Sequence, residues 1–178
     1  MIAAGLDYII EQHKLLHENN IYGISSIYLQ VPISKMIREL KPKRVLDYGC
    51  GQSSLVNVLE KEFPNIEFEK YDPAIEEYET EPEGKYGLVI CTDVLEHIPE
   101  EYLSTFLFKI SNLSGNVIFT ISTQIAYWHL PDGSNCHKTV REKEWWLKKL
   151  QKYFKKANIV PSRYFMLGIK TWSSECEK

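Results

Sequence analysis

The sequence lacks any long uninterrupted apolar run, which limits what it can do at a membrane. No stretch of the 178 residues approaches the roughly 18 to 20 apolar residues that a membrane-spanning helix needs. Near the start, Asp7, Glu11 and His13 interrupt the apolar residues, and no basic segment precedes them. This pattern does not predict a secretion signal. We therefore expect a cytoplasmic protein without a membrane partner.

Closely spaced cysteines and a strong net charge are also missing. The four cysteines, at positions 50, 91, 136 and 176, form no C-x-x-C motif, which favours reduced thiols over a disulfide framework. The formal net charge of −3 gives no general attraction to nucleic acid or anionic lipid. The length is that of one domain, and an apolar fraction of 44% is enough for one core.

A glycine-rich turn follows the first apolar strand of the sequence. The pair Val45–Leu46 lies between basic residues and glycines, a pattern typical of a buried parallel strand. Asp47-x-Gly49-x-Gly51 comes next, and apolar residues then recur at helical spacing. Glycine lets a backbone approach a ligand closely, and a helix N-terminus offers free N–H groups. The stretch therefore predicts a ligand-binding turn, although a plain tight turn is also compatible with it.

Two classes of ligand use such a turn. A dinucleotide site has the pattern G-x-G-x-x-G, whose third glycine lets the helix pack closely on the strand. Ser54 stands at that third position, so the match is incomplete, which disfavours an NAD-dependent oxidoreductase. The other class is the nucleoside cofactor S-adenosylmethionine. An acid two residues before the first glycine can reach its ammonium group, directly or through water, and Asp47 occupies that place.

Two further motifs follow at the ends of predicted strands. The strand Ile66–Tyr71 ends in Asp72-Pro73, where a carboxylate about 20 residues beyond the glycines can accept hydrogen bonds from both hydroxyls of a ribose. A third apolar strand, Tyr86–Cys91, leads directly into the run Thr92–His97. Ligands of open α/β sheets bind at these carboxyl ends.

Together, LDYGCG, YDP and LVICTDVLEHIP resemble the motifs of the class I S-adenosylmethionine-dependent methyltransferases. The loop 130–137 (LPDGSNCH) is similar to that of a compact bacterial and phage-type branch. The resemblance implies S-adenosylmethionine as cofactor and S-adenosylhomocysteine as product. The cofactor-binding residues that it implies are Asp47, Tyr48, Gly49, Cys50, Gly51, Asp72, Pro73, Thr92, Asp93, Val94 and His97.

The resemblance also implies an α/β, Rossmann-like sandwich with a mostly parallel sheet and a C-terminal antiparallel hairpin. Residues 1–178 are expected to form a single methyltransferase domain, with an N-terminal helical lid (1–41) and a core (42–178). Residues 73–85 are too few for a helix–strand–helix unit, because one crossover already needs about 10–12 residues, so the third strand of the family is shortened or missing. The predicted helices are 6–18, 32–40, 55–63, 99–112 and 141–156, and the last strands are 116–122, 158–165 and 167–173.

The histidines are the candidate bases, because histidine titrates near neutral pH and a base is needed if the acceptor must lose a proton. His97, His129 and His137 are these candidates. We rank His137 first because it lies in the long loop 123–140 and matches the loop pattern of the phage-type branch. Each could instead only pack its turn or loop. His129, Cys136 and His137 fit no strong zinc spacing, so we predict no metal.

The predicted function is transfer of a methyl group to an oxygen or nitrogen atom of an unidentified acceptor. A small molecule is favoured over nucleic acid, because the chain has neither the Asp/Asn-Pro-Pro-aromatic motif nor a Pro-Cys nucleophile. Tyr22, Tyr28 and Gln30 are candidate lid contacts, although they could equally pack the N-terminal helices. The alternative is a non-catalytic nucleoside- or partner-binding module on the same fold. The oligomeric state is not predicted.

Overall fold

One six-stranded sheet forms the centre of the protein. The computed structural model describes residues 2–162 and 166–173. Neighbouring strands follow the order β2-β1-β3-β4-β6-β5, in which β1 to β4 are parallel and the pairs β4–β6 and β6–β5 are antiparallel. The strands are β1 (Arg44–Tyr48), β2 (Glu67–Tyr71), β3 (Leu88–Thr92), β4 (Val117–Ser122), β5 (Asn158–Val160) and β6 (Met166–Lys170).

The helices differ from the predicted ones mainly in their ends. They are α1 (Ile2–Asn19), α2 (Gln30–Leu40), α3 (Leu55–Glu62), α4 (Leu103–Leu113) and α5 (Lys143–Gln151), with 3₁₀ turns at Ser25–Leu29, Glu76–Tyr78 and Leu95–His97.

The predicted helix starts at Pro32 and Pro99 were wrong. A 3₁₀ turn runs directly into α2, so this helix begins two residues before the proline. After Pro99 the backbone forms turn bonds, from Tyr102 N to the Pro99 carbonyl and from Leu103 N to the Glu100 carbonyl. These bonds span three residues, and the α-helical pattern begins only at Leu103. The ends predicted for α1 and α5 were also wrong, because α1 begins at Ile2 and α5 covers 143–151.

The missing third strand is confirmed. The connection between β2 and β3 is fully described and contains one 3₁₀ turn and no strand, which leaves β2 at the edge of the sheet. The Asp72 N–H donates to the Tyr78 carbonyl at 2.9 Å, so this short connection folds back against the end of β2. The C-terminal antiparallel pair is confirmed but is shorter than predicted. Part of the predicted hairpin, residues 163–165, lies outside the described residues.

Both faces of the sheet are buried, as the apolar runs of the parallel strands predict. On one face, Val45 and Ile90 pack with apolar residues of α2 and α3. On the other face, Leu46 and Phe119 pack with α4 and α5, including the fully buried Trp146. Covering both faces places the ligand edge at the carboxyl ends of β1 to β4, where loops leave the sheet.

Two expectations from the composition concern cysteine and the membrane. Cys50, Cys91 and Cys136 are buried free thiols, and Cys176 lies outside the described residues. None of the helices in the described part of the chain has the length and apolar character needed to cross a bilayer.

Neighbouring residues of α4 provide a test of this packing. Leu107 is fully buried, whereas the Phe108 side chain is 59% exposed. We expect Leu107→Ala to lower the free energy of unfolding by about 2–5 kcal/mol, because it leaves a cavity in the core. Phe108→Ala is the matched control and should cost less than about 1 kcal/mol. Urea unfolding measures both, and equal losses would contradict the placement of α4.

Candidate active site

A cavity of about 680 Å³ lies at the carboxyl ends of β1 to β4. This volume is within the range of roughly 300–1,000 Å³ that is usual for ligand sites. The predicted cofactor residues that line it are Tyr48, Gly49, Gly51, Asp72, Pro73, Asp93, Val94 and His97. Asp47, Cys50 and Thr92 are buried behind this wall and do not line the cavity.

The glycine turn (residues 49–51) has a conformation that requires glycine. Gly49 and Gly51 have φ angles of 82° and 53°, which side chains rarely adopt. A Cβ atom on Gly51 would lie 2.6 Å from the carbonyl oxygen of Gly23, and one on Gly49 would collide with the Val94 side chain. The turn is therefore closely approached by the N-terminal segment and by the residue after Asp93.

Asp72 ties the glycine turn to the end of β2. Its carboxylate accepts hydrogen bonds from the backbone N–H groups of Gly51 and Ala74, both at 2.9 Å. The Gly49 N–H also donates to the carbonyl of Tyr71, at 2.7 Å. The carboxylate is thus held in one orientation at the cavity wall. The two acids predicted to act together are close in space, since the charge of Asp72 contributes to the pKa of Asp47.

Asp47 is a buried carboxylate that the charge of Lys70 compensates only in part. Its side chain is 1% exposed, and neither carboxyl oxygen has a hydrogen-bond partner among the described residues. Burial, and secondarily the charge of Asp72, raise the pKa of Asp47 to about 7. Burying an unpaired carboxylate costs folding free energy unless a cation or a hydrogen-bond donor approaches it. Because Asp47 does not line the cavity, the water-mediated form of the predicted ammonium contact is the one that its position favours.

The residue after β3 has an unusual backbone. Asp93 has a φ angle of 57°, which is uncommon outside glycine and concentrates at functional sites. Its carboxylate accepts hydrogen bonds from the hydroxyls of Thr120, at 3.0 Å, and Ser25. Asp93 therefore connects β4 and the N-terminal segment at the middle of the cavity.

His97 and His137 lie together, with ring centroids 4.9 Å apart. The Nδ1 atom of His97 is 3.1 Å from the Cys136 carbonyl, and that of His137 contacts the Gln124 carbonyl. A carbonyl oxygen can only accept, so each Nδ1 carries the hydrogen and each Nε2 carries a lone pair. Burial lowers the pKa of both histidines, which keeps the rings neutral.

His129 is separated from this pair. It is exposed, lies in an isolated bridge with Asn135, and is not part of the cavity lining. Loop position alone could not distinguish it from His137, because the difference depends on how the loop folds back onto the sheet. Of the candidate lid contacts, Tyr22 and Tyr28 line the cavity, whereas the Gln30 amide bonds the Glu62 carboxylate at 2.7 Å.

Glu96 is the main site residue that sequence reasoning missed. It is 1% exposed and lines the cavity beside His97. Its Oε1 atom accepts a hydrogen bond from Ser122 N at 2.6 Å, while Oε2 is buried with no partner in the described part of the chain. Burial and the nearby Asp93 raise the pKa of Glu96 to about 8. Because glutamate is usually exposed, nothing in the sequence indicated that Glu96 would be buried in the site. The only available signal was its position directly after the motif that follows β3.

The N-terminal segment supplies more of the cavity wall than was expected. His13 lines the cavity, and burial together with neighbouring histidines and Lys138 lowers its pKa to about 4. The Tyr22 N–H donates to the Gln52 side chain, and the Gln52 amide donates to the His17 carbonyl, both at 3.0 Å. These bonds hold the segment against the residue that follows the glycine turn.

Comparison with known proteins gives a family match. The methyltransferase-domain family matches residues 28–165, which is most of the chain. A search of curated proteins gave no match.

Solved structures share the fold at low sequence identity. An O-methyltransferase family protein from Burkholderia thailandensis is 12% identical with a TM-score of 0.61, and the match covers 85% of this chain and 58% of that protein. Human N-acetylserotonin methyltransferase in complex with S-adenosylmethionine (SAM) is 13% identical with a TM-score of 0.60, and the match covers 82% of this chain and 52% of that protein. DhpI, solved with S-adenosylhomocysteine (SAH), is 14% identical with a TM-score of 0.56, and the match covers 94% of this chain and 98% of that protein.

The chain spans little more than half the length of the first two of these proteins. The family match nevertheless covers the glycine turn, the acid after β2 and the turn after β3. The sheet order and the missing third strand agree with the predicted fold. The chain belongs to the class I S-adenosylmethionine-dependent methyltransferase family.

Proposed function

We propose that this chain transfers a methyl group from S-adenosylmethionine to an oxygen or nitrogen atom of a small molecule. The observation that carries the proposal is one continuous cavity. It connects the glycine turn and Asp72 on one side with Glu96, His97 and His137 on the other. A cofactor on the first side would present its methyl group toward an acceptor on the second.

The residues on the first side fit the cofactor. The backbone of the glycine turn lies open to the cavity, and Asp72 keeps lone pairs for ribose hydroxyls beyond its two backbone bonds. The Asp47 carboxylate has no hydrogen-bond partner among the described residues and so favours a cationic group near the turn, which the ammonium of the cofactor provides. Pro73 and Ala74 give an apolar wall for the adenine. When bound, the cofactor supplies an activated methyl group on a sulfonium leaving group.

The remaining cofactor contacts are proposed from their positions. Tyr48, Gly49, Val94 and Asp93 would surround the methionine part. Cys50 and Thr92, like Asp47, would act from behind the wall by shaping the turns that they belong to.

Residues 1–41 are proposed to serve as a lid on the core formed by 42–178. Gly23 packs against Gly51, and the Gln52 side chain forms hydrogen bonds with the backbone of Tyr22 and of His17 in the N-terminal segment. Excluding water strengthens the electrostatic interactions of a methyl-transfer site and prevents hydrolysis. A lid that rests directly on the glycine turn would open for cofactor entry and close for the reaction.

The acceptor side favours a small, largely apolar molecule with one polar reacting atom. Its walls include Ile9, Ile10, Tyr22, Ile125 and Trp128. His97 and His137 each carry an Nε2 lone pair that can take up a proton, whereas His129 does not line the cavity. The net charge of −3 disfavours nucleic acid. One neighbour is named as an O-methyltransferase family protein and another for a small-molecule acceptor, which supports this class.

Turnover separates this proposal from a non-catalytic binding module. We expect transfer of labelled methyl from S-adenosylmethionine to members of a pool of small hydroxyl- and amine-containing compounds, and less transfer to RNA. Cofactor binding without turnover on small molecules, RNA or peptides would favour the binding module.

Two glycines provide a matched test of the cofactor side. Gly51→Ala places a Cβ against the Gly23 carbonyl, whereas Gly133 has a φ of 82° but nothing within 4 Å of its Cβ position. Both variants carry backbone strain, and only the first disturbs the turn. We expect calorimetric affinity for S-adenosylhomocysteine to fall at least about tenfold in Gly51→Ala and to be retained in Gly133→Ala. Equal affinities would contradict the site.

The raised pKa of Asp47 predicts a pH dependence of the ligand-free protein. Because the pKa rises from 3.8 to about 7 on folding, the folded state holds a proton that the unfolded state has lost, and stability falls as pH rises through this window. Between pH 5 and pH 8 the contribution is about 3 kcal/mol. We expect Asp47→Asn to reduce this fall in urea unfolding, and the exposed Asp7→Asn control to leave it unchanged. Parallel curves for all three proteins would be the contrary result.

A further inference from the structure

Three side chains of types that can ligate metals lie together in the acceptor half of the cavity. Glu96, His97 and His137 each offer one ligand atom, and these atoms lie within 4.8 Å of one another. All three residues line the same cavity as the proposed cofactor residues. We call this group the donor triad.

The histidines of the donor triad are oriented as metal ligands usually are. Ligating histidines commonly donate their second ring N–H to a carbonyl or carboxylate, which fixes the tautomer. His97 does so to the Cys136 carbonyl and His137 to the Gln124 carbonyl. The Nε2 lone pair of each ring is therefore available.

Only one of the two carboxylate oxygens of Glu96 has a hydrogen-bond partner among the described residues. Ser122 N–H holds Oε1, whereas Oε2 is buried and has no hydrogen-bond partner within residues 2–162 and 166–173. A buried oxygen in this state carries a desolvation cost that a bound cation would offset. The missing partner of Oε2 is an observation separate from the spacing of the three side chains, and it also points to a bound cation.

Backbone hydrogen bonds connect the turn that carries Glu96 and His97 to the loop that carries His137. The carbonyl of Glu96 accepts hydrogen bonds from Lys138 N at 2.8 Å and from Thr139 N at 2.9 Å. The turn that carries Glu96 and His97 is thereby bonded to the loop immediately after His137. The arrangement exists without a ligand, so binding an ion would cost little ordering entropy.

We propose that Glu96, His97 and His137 bind a divalent transition-metal ion that holds a hydroxyl oxygen of the methyl acceptor. This inference rests on the proposed methyl-transfer function and narrows it to oxygen. Two imidazole nitrogens and one carboxylate oxygen suit ions such as Zn²⁺, Mn²⁺ or Co²⁺, and three protein ligands leave open positions for the acceptor. This ligand set differs from His129, Cys136 and His137, the group whose spacing in the sequence predicted no metal.

Coordination would change the chemistry of the acceptor. A metal ion lowers the pKa of a bound hydroxyl, which then gives its proton to water and remains on the ion as an anion. The acceptor oxygen supplies the electron pair of the new carbon–oxygen bond, and the pair of the broken carbon–sulfur bond stays on sulfur. The two histidines serve as ligands in this scheme, so neither is needed as the base.

Metal binding can be measured without cofactor or acceptor. The protein, freed of metal, would be dialysed against MnCl₂, ZnCl₂ or CoCl₂, with bound metal counted and the visible absorption of bound Co²⁺ recorded. We expect one ion per chain and at least about tenfold weaker binding in His137→Ala and Glu96→Gln. The matched controls, His129→Ala and Glu100→Gln, should bind like the unaltered protein. Absence of binding, or equal binding in all variants, would overturn the inference.

Glu96→Gln keeps an oxygen for the bond from Ser122 N, so it carries the test if His137→Ala does not fold, as judged by circular dichroism. Calorimetry with S-adenosylhomocysteine in metal-free buffer separates the two proposals. Cofactor binding without metal binding overturns the metal site alone. Metal binding without cofactor binding overturns the proposed function on which the methyl-transfer role rests. Where acceptor turnover is found, a chelator should abolish it and added metal should restore it.

Discussion

The parallel pairing of β1 with both β2 and β3 is the constraint on which the site depends. It brings the ends of three strands to one edge, so that residues far apart in the sequence meet there. The bond from Gly51 N–H to the Asp72 carboxylate then fixes the glycine turn against the next strand. The residues that follow β1, β2 and β3 therefore line one cavity, among them Gly49, Asp72 and Asp93.

The site contains polar groups that the fold leaves uncompensated. Asp47 and Glu96 are both almost fully buried, and between them three carboxyl oxygens have no partner in the part of the chain described. Folding would be more favourable without these two acids, because burying an unpaired carboxylate raises its pKa and lowers the free energy of unfolding. Their placement on either side of the proposed methyl-transfer path suggests one cation at each end, the ammonium of the cofactor and a metal ion.

Much of the fold could be predicted because its determinants are local. Apolar runs, glycines in a fixed pattern and the short connection 73–85 identify the strands, the turn and the missing third strand from neighbouring residues alone. Helix ends were less predictable, since a proline permits a helix start without requiring one. The site was partly predictable for the same reason. The role of Glu96 and the separation of His129 from His137 depend on how a long loop returns to the sheet, and spacing carries no signal for that.

We infer that one cavity binds the cofactor at the glycine turn with its sulfur toward the donor triad. The decisive experiment is a crystal structure of the protein with S-adenosylhomocysteine, grown with Mn²⁺. We expect ribose hydroxyls within hydrogen-bond distance of Asp72, sulfur facing His97 and His137, and anomalous density from the ion among Glu96, His97 and His137. A nucleoside bound elsewhere, or one whose sulfur points away from the two histidines, would contradict it.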